Sequence, residues 1–266
     1  MGKVFIWIAI LGVVIISLIY LVQRSILFPI PNGQLPKSLP THVEKIELDE
    51  GHALFVKSTH SLQERSPLII YAHGNAELAH WSIEHLSHFT RNGIHLLILE
   101  YPGYSGSAGA PSYASIERSS LAAFDRVAGR SDVDRDKIAI YGRSIGGGPA
   151  CILAAQRRVA SLILESTFSS LSALVAEKGF PSFLLRDRFD NEAIVSELAI
   201  PVFIYHGTND TLIPHAHGKR LYETAKEGII KLGDCGHNNC PRPWPDIDNF
   251  LQSSWSQTSY QPTPNE

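Results

Sequence analysis

Gly142-Arg143-Ser144-Ile145-Gly146 is the stretch on which the reading of this chain turns. The five residues fit G-x-S-x-G, and their surroundings fit the setting that pattern requires. Before them runs Lys137-Ile138-Ala139-Ile140-Tyr141, a short apolar stretch that reads as a strand. After them come Gly147, Gly148 and Pro149, then Ala150-Cys151-Ile152-Leu153-Ala154-Ala155, which reads as a helix of small residues. A strand turning sharply into a helix holds the central serine on a strained turn, and glycine on either side lets the two elements approach closely. The bare pattern matches by chance in many chains. Its weight depends on an acid, a histidine and backbone donors following in the right order.

Outward from this turn, strands and helices alternate. Residues 42–46 and 52–57 read as two edge strands joined by Asp49-Glu50-Gly51. Residues 68–72 read as a buried strand, 76–91 as a helix, 94–99 as a strand and 113–127 as a helix. Strands at 137–141, 160–164, 201–205 and 228–232 complete the series. Near-continuous apolar strands separated by helices predict an α/β fold with a mostly parallel central sheet flanked by helices. Residues 168–198 are too long for an ordinary connection and predict a small helical cap. The domain spans 41–255, and 256–266 reads as a flexible polar tail.

Residues 4–22 carry no charge. As a helix they extend about 28 Å at ~1.5 Å per residue, close to a ~30 Å hydrocarbon core. Trp7 and Tyr20 fall near the two ends, where amphipathic rings favour the headgroup region. The reading is a single-pass transmembrane anchor; a cleaved signal peptide competes, but no small-x-small site follows. Residues 23–40, with Pro29, Pro31, Pro36 and Pro40, read as an extended tether. The charges Lys3, Arg24 and Lys37 leave the side of the membrane open.

A net charge of −3 without any basic run offers no footprint for nucleic acid. His85 and His88 are three apart and His215 and His217 two apart, without clustered carboxylates, so no metal site is expected. Neither a phosphate loop nor a dinucleotide fingerprint occurs, and no cofactor is expected. Of three cysteines, Cys151 reads as a core residue, while Cys235 and Cys240 are open to a local disulfide or free thiols.

A serine hydroxyl becomes a nucleophile when an imidazole takes its proton, and that imidazole needs an acid to fix its tautomer. Asp210 follows the apolar stretch 201–205, and His237 follows the last strand within Gly236-His237-Asn238. Both fall just past strand C-termini, where open parallel sheets bind ligands. Asp187, Asp190 and Asp234 are rival acids; the first two lie in the cap and the third is too near His237 in sequence. Two backbone N–H donors are needed for an oxyanion. Ile145 supplies one, and Asn75, in the His73-Gly74-Asn75-Ala76 loop after the 68–72 strand, supplies the other.

Together these residues resemble the α/β-hydrolase superfamily over most of the chain. The likeness is to a branch of single-pass, membrane-anchored serine hydrolases that includes depalmitoylase-like members. It is carried by His73-Gly74-Asn75-Ala76, Glu100-Tyr101-Pro102-Gly103-Tyr104-Ser105-Gly106-Ser107, the turn at Ser144, His206-Gly207 with Asp210, and Gly236-His237-Asn238. The resemblance implies a triad of Ser144, Asp210 and His237, with His73, Gly74, Tyr101 and Tyr104 as candidates for the substrate pocket. It implies hydrolysis of ester or thioester bonds in acyl or lipid-like substrates. Apolar cap residues Phe180, Phe183, Leu184 and Leu185 fit such a substrate. A serine peptidase and a non-catalytic membrane scaffold are the alternatives.

Overall fold

The protein is described by a computed structural model covering residues 2–60 and 64–258. The strands are β1 (Val43–Glu47), β2 (His52–Val56), β3 (Ser66–Ala72), β4 (His95–Glu100), β5 (Val133–Arg143), β6 (Ser161–Glu165), β7 (Val202–Gly207) and β8 (Gly228–Gly233). They form one 8-stranded sheet in the order β1-β2-β4-β3-β5-β6-β7-β8. β1 and β2 pair antiparallel at one edge, β2 meets β4 antiparallel, and every later pair is parallel.

Alternation along the strands splits the core into two layers. Leu68, Ile70, Leu97, Ile138, Ile140 and Leu162 pack on one face, with residues of α4 (Tyr113–Ala128) and α5 (Gly147–Gln156). Ile69, Tyr71, Leu96, Ile98, Ala139 and Ile163 point to the other, with Phe89, Ile247, Phe250 and Leu251. The last three residues lie on α9 (Trp244–Thr258), so 256–258 belong to this helix rather than to a tail; residues 259–266 lie outside the described residues. Strands buried on both faces explain why their sequences read as apolar runs.

Two expectations need correction. The helix expected over 76–91 is broken into a 3-10 turn (Ala79–Trp81), α2 (Ser82–His85) and α3 (Ser87–Arg91). Ala76 takes φ 55 and Leu78 is extended, and the Ala79 amide donates to Glu100 Oε2 at 3.0 Å, so the chain enters as a loop. Nor is all of 23–40 an extended tether. α1 (Gly2–Leu27) continues to Leu27, since the first proline is Pro29, and Phe28 is buried.

The segment between β6 and β7 is a small helical cap, as expected: α6 (Leu171–Glu177), a 3-10 turn (Ser182–Leu184) and α7 (Asn191–Glu197). A third apolar cluster joins the cap to the sheet's C-terminal edge through Ile145, Phe168, Leu171, Leu185, Phe189 and Phe28.

Candidate active site

β5 delivers its last residue, Arg143, into a turn on which Ser144 has φ 53. That left-handed conformation is unfavourable for a residue with a Cβ and persists only where the surroundings impose it. They do so by close packing. A Cβ on Gly146 would lie 2.6 Å from the His73 carbonyl oxygen, and one on Gly142 would lie 2.6 Å from Ala150 Cβ. The two glycines therefore bring the residues after Ser144 against the end of β3, beside the His73–Ala76 loop.

Ser144 Oγ lies 3.0 Å from His237 Nε2, and His237 Nδ1 lies 2.7 Å from Asp210 Oδ2. A carboxylate accepts, so Nδ1 carries the proton and Nε2 is left to accept from the serine hydroxyl. Asp210 is held in turn by the amides of Leu212 and Ile213, both donating to Oδ1 at 2.9 Å. Burial pushes the Asp210 pKa up, but His206, His237 and the Ile213 amide outweigh it and hold the carboxyl well below its usual range. The rival acids are engaged elsewhere: Asp187 with Arg24, Asp190 at the N-cap of α7, and Asp234 with Asn209. The arrangement can activate a hydroxyl and then return the proton to a leaving group.

The Asn75 and Ile145 amides belong to the two segments that Gly146 brings together. Of the four pocket candidates, His73, Tyr101 and Tyr104 are buried and do not line the cleft beside His237. His73 Nδ1 lies 2.8 Å from Gly74 O and Nε2 3.1 Å from Glu100 Oε1, while the Tyr101 hydroxyl donates to His73 O at 2.7 Å. The Tyr104 ring packs 5.9 Å from the imidazole. These aromatics shape the loop from beneath, because the Glu100 carboxylate draws His73, Ser105 and the Ala79 amide inward. Gly74 stays near the site, where a Cβ would meet Arg143 Nη1 at 2.7 Å.

This buried pair sets a pH dependence. Burial lowers the His73 pKa, but Glu100 more than compensates, leaving it above 6.5. Burial instead raises the Glu100 pKa, yet His73, Ser105 and the Ala79 amide bring it below 4.5. His73's contribution to stability is therefore full below about pH 6.5 and lost as pH rises through its raised folded pKa; that of Glu100 is lost as pH falls. His73→Gln should flatten the decline of melting temperature as pH rises above about 6.5, which thermal unfolding at several pH values would check.

Arg143, read in the sequence only as a variable position of the motif, proves central. Its guanidinium pairs with Glu77, lies 3.4 Å from Glu165, and donates to the His237 carbonyl at 3.2 Å and Asn238 Oδ1 at 2.8 Å. Glu165 also accepts from Tyr141 and, at 2.9 Å, from Arg242. Burial raises the Glu165 pKa, but Arg242 and Arg143 bring it below the usual carboxylate value. Glu77, Arg143, Glu165, Asn238 and Arg242 line a cleft of about 440 Å³ beside His237, together with Trp81 and His85. A charged residue closing an apolar strand was the available signal.

Cys235 and Cys240 form a disulfide that closes the loop carrying His237, and Cys151 is a buried free thiol. Among the described residues no group of three His, Cys, Asp or Glu side chains is placed to hold a metal ion. His88 stacks on Trp244 and lies 2.9 Å from Asp248, and His217 bonds Ser169.

Comparison with known proteins agrees with this fold. The family described as "alpha/beta hydrolase fold" matches residues 67–198. The uncharacterized protein YfhR of Escherichia coli (strain K12) is 32% identical over 239 residues, covering 82% of each chain. The YfhR protein of Salmonella typhi is 30% identical over 244 residues, again 82% of each. Among solved structures, an acetyl xylan esterase from Paenibacillus sp. R4 superposes with a TM-score of 0.61 at 17% identity, over 87% of this chain and 98% of that one. Est1E from Butyrivibrio proteoclasticus gives a TM-score of 0.64 at 16% identity, over 82% and 100%. With its sheet order, its serine turn and these relatives, the chain belongs to the alpha/beta hydrolase superfamily.

Proposed function

We propose that this chain is a membrane-anchored serine hydrolase that cleaves carboxylic ester or thioester bonds through an acyl-enzyme. The observation that carries the reading is the hydrogen-bonded series Ser144–His237–Asp210 built on a left-handed serine. His237 Nε2 takes the hydroxyl proton as Oγ bonds to the acyl carbon. The tetrahedral oxyanion rests on the Asn75 and Ile145 amides, and collapse breaks the bond to the leaving alcohol or thiol, which His237 protonates. Water then repeats the sequence, with His237 again base and then acid, and releases the carboxylic acid and free Ser144. Asp210 stays ionised throughout and orients the imidazole. These steps use side chains and main-chain amides alone.

Two features support an apolar acyl group in a bilayer setting. Ile145 lies in one apolar cluster with cap residues Phe168, Leu185 and Phe189. The helix over Val4–Leu27 is long and apolar enough to cross a membrane, and its hydrophobic side chains face outward. A panel of p-nitrophenyl esters of increasing chain length, acyl thioesters and peptide amides tests the substrate class. Turnover of esters and thioesters, rising with acyl length, is expected. Turnover confined to amides would replace this reading with a peptidase.

A further inference from the structure

The last turn of α1 is built into the cap. Gln23 is buried; its amide nitrogen donates to Leu184 O at 3.1 Å, and its oxygen accepts from the Arg186 amide at 2.8 Å. The Gln23 side chain is thus paired with the cap backbone through both its polar atoms. Next to it Arg24 grips Asp187 with two bonds, Nε to Oδ2 at 2.7 Å and Nη2 to Oδ1 at 3.0 Å. Asp187 is itself buried and accepts from the Tyr113 amide at the start of α4, at 2.8 Å. Phe28 closes the joint by entering the cluster that contains Ile145. Anchor, cap and the serine turn are therefore linked by direct contacts.

This joint fixes the depth of the cap. Residues 4–22 of the helix rise about 28 Å, enough to fill the hydrocarbon core, and residues 23–27 rise about 7 Å more, comparable with the ~5–8 Å headgroup layer on one side. Any group that touches Gln23 or Arg24 then lies at headgroup depth. The cap alternates there. Leu185, Asp187 and Phe189 are buried, whereas Phe183 is 73% exposed and Arg186 and Arg188 are exposed, the Arg188 guanidinium lying along the strip and donating to the Leu185 and Phe183 carbonyls at 3.0 and 2.9 Å. The Arg186 guanidinium lies 5.1 Å from the centroid of the Tyr20 ring, at the outer end of the span. Two cations and an aromatic ring beside a membrane exit match the chemistry of lipid phosphates and the acyl boundary.

We propose that the cap strip 183–188 docks on the phospholipid headgroup layer of the bilayer that holds α1. Arg186 and Arg188 meet lipid phosphates, and the Phe183 ring enters the acyl boundary. The proposal rests on reading α1 as a retained membrane span, and its test separates the two.

Full-length protein in phospholipid nanodiscs is spin labelled at one introduced cysteine, either Phe183→Cys, Val13→Cys or Glu227→Cys. Cys151 is buried and Cys235–Cys240 are paired, so the new thiol is the reactive one among the described residues. Glu227 is exposed just ahead of β8, at the N-terminal ends of the parallel strands, whereas the strip 183–188 joins the cluster at their C-terminal edge. Collision with a water-soluble nickel chelate is compared with collision with dioxygen. The label at 183 is expected to meet nickel several-fold less often than the label at 227, with 13 the most shielded. Arg186→Glu added to Phe183→Cys should raise nickel access at 183 several-fold; no rise overturns the phosphate contact. Equal access at 183 and 227 with 13 shielded overturns the docking proposal and leaves the anchor. Nickel access at 13 as high as at 227 overturns the anchor reading itself.

Discussion

Asp210→Asn is expected to lower kcat by about 10⁴ while KM stays near its original value, by the precedent of triad acids elsewhere. The structure says why an isosteric change should cost so much. Asp210 Oδ2 faces His237 Nδ1 at 2.7 Å, and its other oxygen is occupied by the Leu212 and Ile213 amides. With Oδ1 already committed as an acceptor from two N–H groups, an asparagine here must turn its NH₂ toward His237. The imidazole then places its proton on Nε2, and the serine hydroxyl faces a donor instead of an acceptor. The fold should survive, because the backbone donors keep an oxygen to bond. Steady-state kinetics with a short-chain ester checks the size of the loss, and a decrease below about tenfold would mean that another acid serves His237.

Arg143→Met should have the second largest effect, and on two properties at once. It strips Glu77 and the buried Glu165 of a cation, leaving Glu165 with Arg242 alone. Breaking a buried charge pair from one side costs about 3 kcal/mol or more. It also removes the donor to the His237 carbonyl and Asn238, two of the contacts that tie the histidine loop to the serine turn. Activity should therefore fall at temperatures where the variant is still folded, with kcat affected more than KM. Arg143→Lys should recover stability better than activity, since an ammonium restores the charge but not the planar fork that spans two partners. Chemical denaturation and kinetics measured on the same samples separate the two effects.

The positions that sequence alone could place are those fixed by order along the sheet. Ser144, Asp210 and His237 each follow an apolar strand, and parallel strands converge at one edge, so linear order was enough to predict their meeting. The apolar character of Ile69, Ile70, Leu97 and Ile98 likewise declared strands covered on both faces. What escaped the sequence depends on contacts between distant segments. Tyr101 and Tyr104 sit in a glycine-rich loop that reads as part of the substrate pocket, yet Glu100 and His73 draw that loop inward. Arg143 acquires its part from Glu77, Glu165 and Asn238, none of which lies near it in the chain. Gln23 and Arg24 read as the start of a tether because their partners, the backbone at Leu184 and Arg186 and the Asp187 carboxylate, lie beyond any local pattern.

Reaction of the full-length protein with a fluorophosphonate probe, followed by peptide mapping, tests the central claim most directly. A single covalent adduct on Ser144 is expected, absent from Ser144→Ala and formed far more slowly in Asp210→Asn. A folded wild-type protein that stays unlabelled, or an adduct on a different serine, would contradict it.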